Sequence, residues 1–206
     1  MRNIARLAQL ALVSGFALVG TAIPSLAAAA GNLDAHLRGS YAFTTTKTCT
    51  ALVAPYLFVP PSFAIPPNVP SSALFRQSTS DAGIFTFNGD GTATATGTSR
   101  VMNITTTSPG SSPVSVSEFT SAIDYTVNSD GTVDTATTAD FTLVFPAGPT
   151  GTVTGSVSRL QIAGGNTMLV SAPSGDPTLE TLTFGGVPVQ TRICVRSTTA
   201  TKLPGN

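Results

Sequence analysis

Short strand-like segments separated by glycine-rich turns run through most of this chain and leave few alternatives to an all-β fold. From residue 74 onward, stretches of alternating polar and apolar residues are divided by turns at 88–91, 128–131, 164–166 and 185–186. Gly, Asn and Asp adopt the positive φ angles that hairpin turns require. Outside residues 1–30 no window shows a helical period. The pattern predicts about eight to ten strands in sequential antiparallel pairs, which is a meander.

The two cysteines favour a meander that closes on itself. Cys49 lies in the first strand-like segment and Cys194 in the last, 145 positions later. An open meander exposes two sheet edges, whereas pairing the first strand with the last removes them. If Cys49 faces Cys194 in an antiparallel pair, Phe43 lies opposite Ala200. We therefore predict a Cys49–Cys194 disulfide and an up-and-down antiparallel β-barrel. A two-layer β-sandwich is the alternative.

Residues 1–30 have the features of a secretory signal peptide. Arg2 and Arg6 precede an apolar run at 7–23, and small residues follow at 25–30. We predict cleavage near Ala30, one domain over residues 31–206 and no membrane span after cleavage. The expected location is the bacterial periplasm or the cell exterior, where disulfides persist. Loss of the two arginines leaves 8 of the 10 basic residues against 10 acidic ones. This balance argues against nucleic acid as a partner.

A proline-rich, apolar segment at residues 51–73 interrupts the strand pattern. Six prolines stand there among apolar residues that include Tyr56, Phe58 and Phe63. So much proline is incompatible with a central strand, and loops of this length are usually functional or disordered. Because this segment is apolar, we expect it to pack against the rest of the protein.

The sequence predicts no catalytic, metal or cofactor site. His36 is the single histidine and precedes the first strand, so neither a nucleophile–base pair nor a zinc site can be assembled around it. Glu118 and Asp124 share the polar face of one strand and are expected in solvent. Two Thr-x-Asn-x-Asp-Gly segments, at 86–91 and 126–131, resemble the start of a calcium loop but lack its terminal Glu. We interpret both as hairpin turns.

The last strand-like segment contains two arginines whose side-chain positions can be predicted. Arg192 and Arg196 share a face with Cys194. We expect their stems to cover apolar surface while their guanidinium groups stay in water. The alternative is that they cap one end of the barrel near Tyr41.

The chain resembles the calycin group of barrels, the lipocalins and their bacterial relatives. The likeness lies in Gly39-Ser40-Tyr41-Ala42-Phe43 at the start of the first strand, the long loop after that strand, the meander and the late arginines. In lipocalins, a Gly-x-Trp opens the first strand and the next loop covers the ligand-binding mouth; here Tyr41 stands at the Trp position. The resemblance implies a lid at residues 56–63 and an apolar interior. The implied ligand-binding residues are Tyr41, Phe43, Tyr56, Phe58 and Phe63.

Three functions follow as hypotheses from these features. The first is an exported barrel that binds a small apolar ligand. The second is a structural or adhesive cell-surface subunit, for which the apolar loop would serve as a protein contact. The third is a small-barrel enzyme similar to the allene oxide cyclases, whose shaped cavities leave no sequence motif. Neither the ligand nor the oligomeric state follows from the sequence.

Overall fold

Nine antiparallel strands follow one another in the part of the chain that the computed structural model describes, residues 33–59, 63–104, 113–171 and 177–205. The predicted signal peptide lies outside these residues. No helix within them is long and apolar enough to cross a bilayer. The strands are β1 (Arg38–Val53), β2 (Leu74–Asn88), β3 (Thr92–Asn103), β4 (Val114–Val127), β5 (Thr132–Phe145), β6 (Ala147–Ala163), β7 (Met168–Ser171), β8 (Thr178–Phe184) and β9 (Val187–Lys202). Short 3₁₀ turns occupy Leu33–His36 and Ser71–Ala73.

The sheet closes into a ring through pairing of the first and last strands. From β1 to β6 each strand pairs with the next, and β9 returns to pair antiparallel with β1. Cys49 faces Cys194 in this pairing and the two form a disulfide, while Phe43 faces Ala200, as predicted. The predicted all-β meander and the disulfide are therefore confirmed. One continuous sheet closes on itself, in contrast to the two separate layers of the sandwich alternative.

One position of the ring is shared by two short strands. Both β7 and β8 lie between β6 and β9 and run antiparallel to each. β7 pairs with the last residues of β6, whereas β8 pairs with Gly151–Thr154 near its start. Nine strands thus fill eight positions around the ring.

Side-chain alternation decides which residues face the interior. In β1, Tyr41, Phe43 and Cys49 are buried while Ala42 and Thr44 are exposed, which confirms the predicted period of two. The same alternation runs through β2 and β4. Exposed threonines occupy much of the outer face, and the interior collects aromatic and polar side chains.

The two repeated Asp-Gly segments are hairpin turns, as predicted. The Asp90 carboxylate accepts hydrogen bonds from both the backbone N–H and the hydroxyl of Thr92, and Asp130 repeats this arrangement with Thr132. Gly91 adopts a φ of 90°, which a side chain would oppose. These carboxylates therefore stabilise local turns.

A hydrophobic core fills the interior at one end of the ring, which we call the packed end. Leu37 and Tyr41 are fully buried there, and the Tyr125 hydroxyl donates to the Leu37 carbonyl at 3.0 Å. The Asp34 carboxylate accepts from the Val127 N–H at 2.7 Å, which fastens the N-terminal 3₁₀ turn across this end. The residues of this core are Leu37, Tyr41, Phe43, Phe87, Ala93, Ala95, Ile123, Tyr125, Val127, Val133, Leu160, Leu169 and Ala200.

The proline-rich segment starts later than predicted and packs differently. β1 continues to Val53, so Ala51 and Leu52 belong to the strand, where the proline-free sequence continues the ladder with β9. Beyond the strand, Phe58 is buried and its N–H donates to the Thr191 hydroxyl at 2.7 Å. Leu52 and Thr191 have the outward parity of their strands, so this part of the segment covers the outer face of the ring.

Candidate functional site

The interior of the ring contains a cavity of about 390 Å³. Its aromatic part includes Phe43 and Phe85, whose rings stack at a centroid distance of 4.0 Å. The ring centroid of Phe119 lies 6.4 Å from that of Phe43. The cavity runs from this aromatic group, next to the packed end, toward Phe75 and Phe184 at the opposite end of the strands. A volume of this size lies in the range of small-molecule sites.

A hydroxyl-bearing wall lines another part of the cavity. It is formed by alternate residues of β3, β4 and β5, which are Ser99, Ser117, Ser121, Thr135 and Thr137. Small side chains at these positions leave space that larger ones would fill. The cavity therefore combines aromatic and hydrogen-bonding surfaces.

Ionised side chains, which we call the charged cluster, occupy the interior around the disulfide, with Lys47 and Arg196 on the side of the aromatic group and Arg192 on the other side. The cluster consists of Lys47, Asp81, Glu180, Arg192 and Arg196. Glu180 is fully buried at its centre, and its two carboxylate oxygens lie 2.6 Å from the Nη2 atoms of Arg192 and Arg196. Opposite charges at such distances compensate the loss of solvation that burial imposes on each group.

Lys47 and Asp81 extend the charged cluster across β1 and β2. The Lys47 ammonium lies 2.9 Å from Asp81 Oδ2 and 3.8 Å from Glu180 Oε1. Three basic groups thus face two acidic groups, which leaves one positive charge in excess. Lys47, Asp81, Arg192 and Arg196 line the cavity, whereas Glu180 lies behind them. The surface that a ligand would meet is therefore more basic than the cluster as a whole.

Two atoms of the charged cluster have no hydrogen-bond partner among the described residues. They are Arg196 Nε, a donor, and Asp81 Oδ1, an acceptor. The other nitrogens of Arg196 donate to Ser158 and Ser156 at 2.8 Å and to Glu180. Buried polar atoms without a partner are costly and uncommon in folded proteins. Both atoms belong to side chains that line the cavity.

The charged cluster shifts the pKa of Glu180 strongly. Burial by itself raises the pKa of Glu180, but Lys47, Arg192 and Arg196 outweigh burial and hold this pKa well below its ordinary value. Burial lowers the pKa of Arg196, and Glu180 and Asp81 partly oppose that shift. Glu180 is consequently ionised throughout the physiological pH range.

We expect acid to destabilise the protein through Glu180. The unfolded chain protonates Glu180 near its ordinary pKa of 4.5, while the folded protein keeps it ionised to much lower pH. Below pH 4.5 the unfolded state therefore binds more protons, and the free energy of unfolding falls as the pH decreases. Urea denaturation between pH 7 and pH 2.5 measures this dependence. Glu180→Gln should flatten it, and an unchanged slope in that variant would contradict the assignment.

The structure separates the five predicted ligand-binding residues. Phe43 lines the cavity. Tyr41 is buried in the packed end, where its hydroxyl donates to the Asn166 carbonyl at 2.8 Å. Phe58 packs outside the ring, Tyr56 is half-buried, and Phe63 is 51% exposed. Part of the predicted lid, residues 60–62, lies outside the described residues. A ligand-binding role for these five side chains stays a prediction.

The placement predicted for the two arginines was wrong. Arg192 and Arg196 point into the ring and are held by Glu180. Neither caps the end near Tyr41; instead the Lys202 ammonium lies 5.9 Å from the Tyr41 ring centroid. The shared parity of the arginines with Cys194 was a usable signal, because the disulfide lies on the inward face.

Sequence reasoning missed Lys47, Asp81 and Glu180. Each has the inward parity of its strand, and Lys47 alternates with Cys49. Parity alone did not identify them because charged residues are rarely buried without partners. The partners come from strands far apart in sequence. Glu118 and Asp124, by contrast, are exposed as expected.

No group of three or more His, Cys, Asp or Glu side chains suited to a metal occurs within the described ranges. His36 lies exposed in the first 3₁₀ turn.

Comparison with known proteins leaves the family open. No family model matches the chain, and no curated protein matches its sequence. Among solved structures, the chain is similar to the crystal structure of Neisserial surface protein A (NspA), with a TM-score of 0.46 and 9% sequence identity. The similarity covers 80% of this chain and 97% of that one. A likeness at this level carries no inference about function.

Proposed function

We propose that this chain is an exported β-barrel of the calycin type that binds a small, largely apolar molecule inside its ring of strands. The observation that carries the proposal is the cavity of about 390 Å³ whose wall includes Phe43, Phe85 and Phe119. Eight positions around a ring leave room for one small ligand or for a filled interior. The interior of this protein is filled at one end and open in its central part.

The outer face of β3 favours a barrel surrounded by water. Along β3, the outward residues Thr94, Thr96 and Thr98 alternate with the inward ones, and the first two are exposed. A lipid-facing barrel requires an apolar outer band. The disulfide fits export, because such bonds persist in the periplasm and outside the cell.

Filling the cavity should abolish ligand binding. Ala139 lines the cavity from β5, so Ala139→Leu inserts bulk into the space a ligand needs. We expect native mass spectrometry of the exported protein to detect a small molecule that organic extraction removes, and its occupancy to fall at least about tenfold in the variant. Ala136→Leu is the matched control, because Ala136 is exposed on the outer face of the same strand. Equal occupancy in both variants, or a protein without extractable ligand, would contradict the proposal.

A surface subunit is the second candidate, and exposed apolar residues favour it. Val59, Phe63 and Ile65 are 68%, 51% and 49% exposed in the proline-rich segment. Apolar side chains grouped on a surface serve as protein contacts. Oligomers that form as concentration rises in light scattering, and that disappear in Phe63→Ser, would support this function. A monomer at every concentration would exclude it.

A further inference from the structure

We propose that the molecule bound in the cavity is an amphipathic acid whose carboxylate is held by Arg196 and Lys47 while its apolar body lies along the phenylalanine wall. This inference rests on the proposed function and adds the chemical class of the ligand. Three features of the cavity support it: the sign of the charge, the free hydrogen-bonding groups and the direction in which the cavity extends.

The sign of the charge comes from the arrangement around Glu180. The carboxylate of Glu180 is fully buried and lies behind the guanidinium groups of Arg192 and Arg196. Those two groups and the Lys47 ammonium line the cavity, together with one carboxylate, Asp81. A cavity wall with an excess of positive charge in a low-dielectric interior favours an anionic ligand.

The free hydrogen-bonding groups suit a carboxylate. Arg196 Nε is a buried donor without a partner among the described residues. A lysine ammonium carries three donors. Asp81 Oδ2 lies within hydrogen-bonding distance of Lys47 Nζ, at 2.9 Å, whereas Glu180 Oε1 is 3.8 Å away. A carboxylate at this place would accept hydrogen bonds from both Arg196 and Lys47, and such charge-assisted bonds are the stronger kind.

The cavity continues from these cations to aromatic surface. From Lys47 toward the packed end, the next inward side chains of β1 are Thr45 and Phe43. On β2, Phe85 lies four residues after Asp81, in the same direction and on the same face. The basic groups therefore stand beside the Phe43–Phe85 stack. An apolar chain attached to the bound carboxylate would reach this stack.

One feature of the cavity would suit a different ligand, a neutral alcohol. Asp81, whose side chain lines the cavity, also has an oxygen without a partner among the described residues, Oδ1, and this buried atom would accept a hydrogen bond from a neutral hydroxyl group. An alcohol and a carboxylic acid of equal chain length distinguish the two cases, because the alcohol satisfies Asp81 and the carboxylate satisfies Arg196 and Lys47.

The test compares dodecanoate with 1-dodecanol by isothermal titration calorimetry and native mass spectrometry at pH 7. We expect dodecanoate to bind at least about tenfold more tightly, since its ionised carboxylate would pair with two cations whereas the neutral hydroxyl of dodecanol would reach one carboxylate. Equal binding, or tighter binding of dodecanol, overturns the acid-binding inference and leaves the apolar-ligand proposal standing. Binding of neither probe overturns both.

Two interior variants and one exterior variant complete the test. Arg196→Gln should weaken dodecanoate binding about tenfold and leave dodecanol binding unchanged. Asp81→Asn removes a negative charge from the wall and should strengthen dodecanoate binding several-fold, a gain that loss of folding cannot imitate. Arg159→Gln is the control, because Arg159 lies on the outer face of β6 and is half-exposed. Weaker dodecanoate binding in Asp81→Asn would overturn the inference even where Arg196→Gln fails to fold.

Discussion

Replacing Glu180 with Gln is expected to lower the free energy of unfolding by about 3–5 kcal/mol, the range found when one partner of a buried ion pair is removed. Glu180 is fully buried and binds Arg192 and Arg196 at 2.6 Å, with Lys47 nearby. A neutral amide keeps the shape of the side chain but leaves three cations with a single carboxylate, Asp81. Urea denaturation at pH 7 provides the measurement.

The control for Glu180 is an ion pair of similar geometry on the outer face. Asp134 lies 2.6 Å from Arg159, and both side chains are about half exposed, 44% and 50%. Exposed pairs contribute about 0–1 kcal/mol because water screens them. Asp134→Asn should therefore cost less than about 1 kcal/mol. A loss of that small size in Glu180→Gln would show that the charged cluster contributes little to stability.

Removing the disulfide is expected to have an effect of similar size by a different route. Cys49 and Cys194 close a loop of 145 residues between β1 and β9. The bond restricts the unfolded chain, and loop-closure entropy gives roughly 5 kcal/mol as an upper figure for a loop of this length. The double variant Cys49→Ala/Cys194→Ala should therefore unfold at a markedly lower urea concentration.

A reducing agent separates the effect of the bond from the effect of substitution. Dithiothreitol should shift the urea midpoint of the native protein toward that of the double variant and leave the variant unchanged. Intact mass should rise by two hydrogens on reduction. A native midpoint that stays the same under complete reduction would exclude the disulfide as a main source of stability.

Local patterns in the sequence were sufficient for most strands and for the sequential pairing from β1 to β6. The alternation of Tyr41 and Phe43 with less buried residues defines the inward face of β1, and turns that contain glycine follow β2, β4, β6 and β8. Both signals act within a few residues, so they survive without tertiary information. The facing of Cys49 and Cys194 was predictable because the sequence contains two cysteines, which can form one disulfide within the chain.

The ends of the strands and the packing of the loops were harder to predict from the sequence. Leu52 extends β1 beyond the predicted limit because β9 offers it a partner. Phe58 packs on the outer face near Thr191, whereas the predicted lid at residues 56–63 would cover the mouth of the ring. Pairing partners and covering surfaces of this kind come from residues more than a hundred positions away, and no local pattern specifies them.

The sequence by itself determined the all-β class, the meander order from β1 to β6 and the inward faces of β1 and β4, because these depend on a period of two and on turn chemistry. Only the tertiary structure decided that Lys47, Asp81, Glu180, Arg192 and Arg196 meet inside the ring. Strand register sets that meeting, since a shift of one residue would turn each side chain to the opposite face. Burial then requires every charge to find its counterpart across strands, which is a property of the closed ring as a whole.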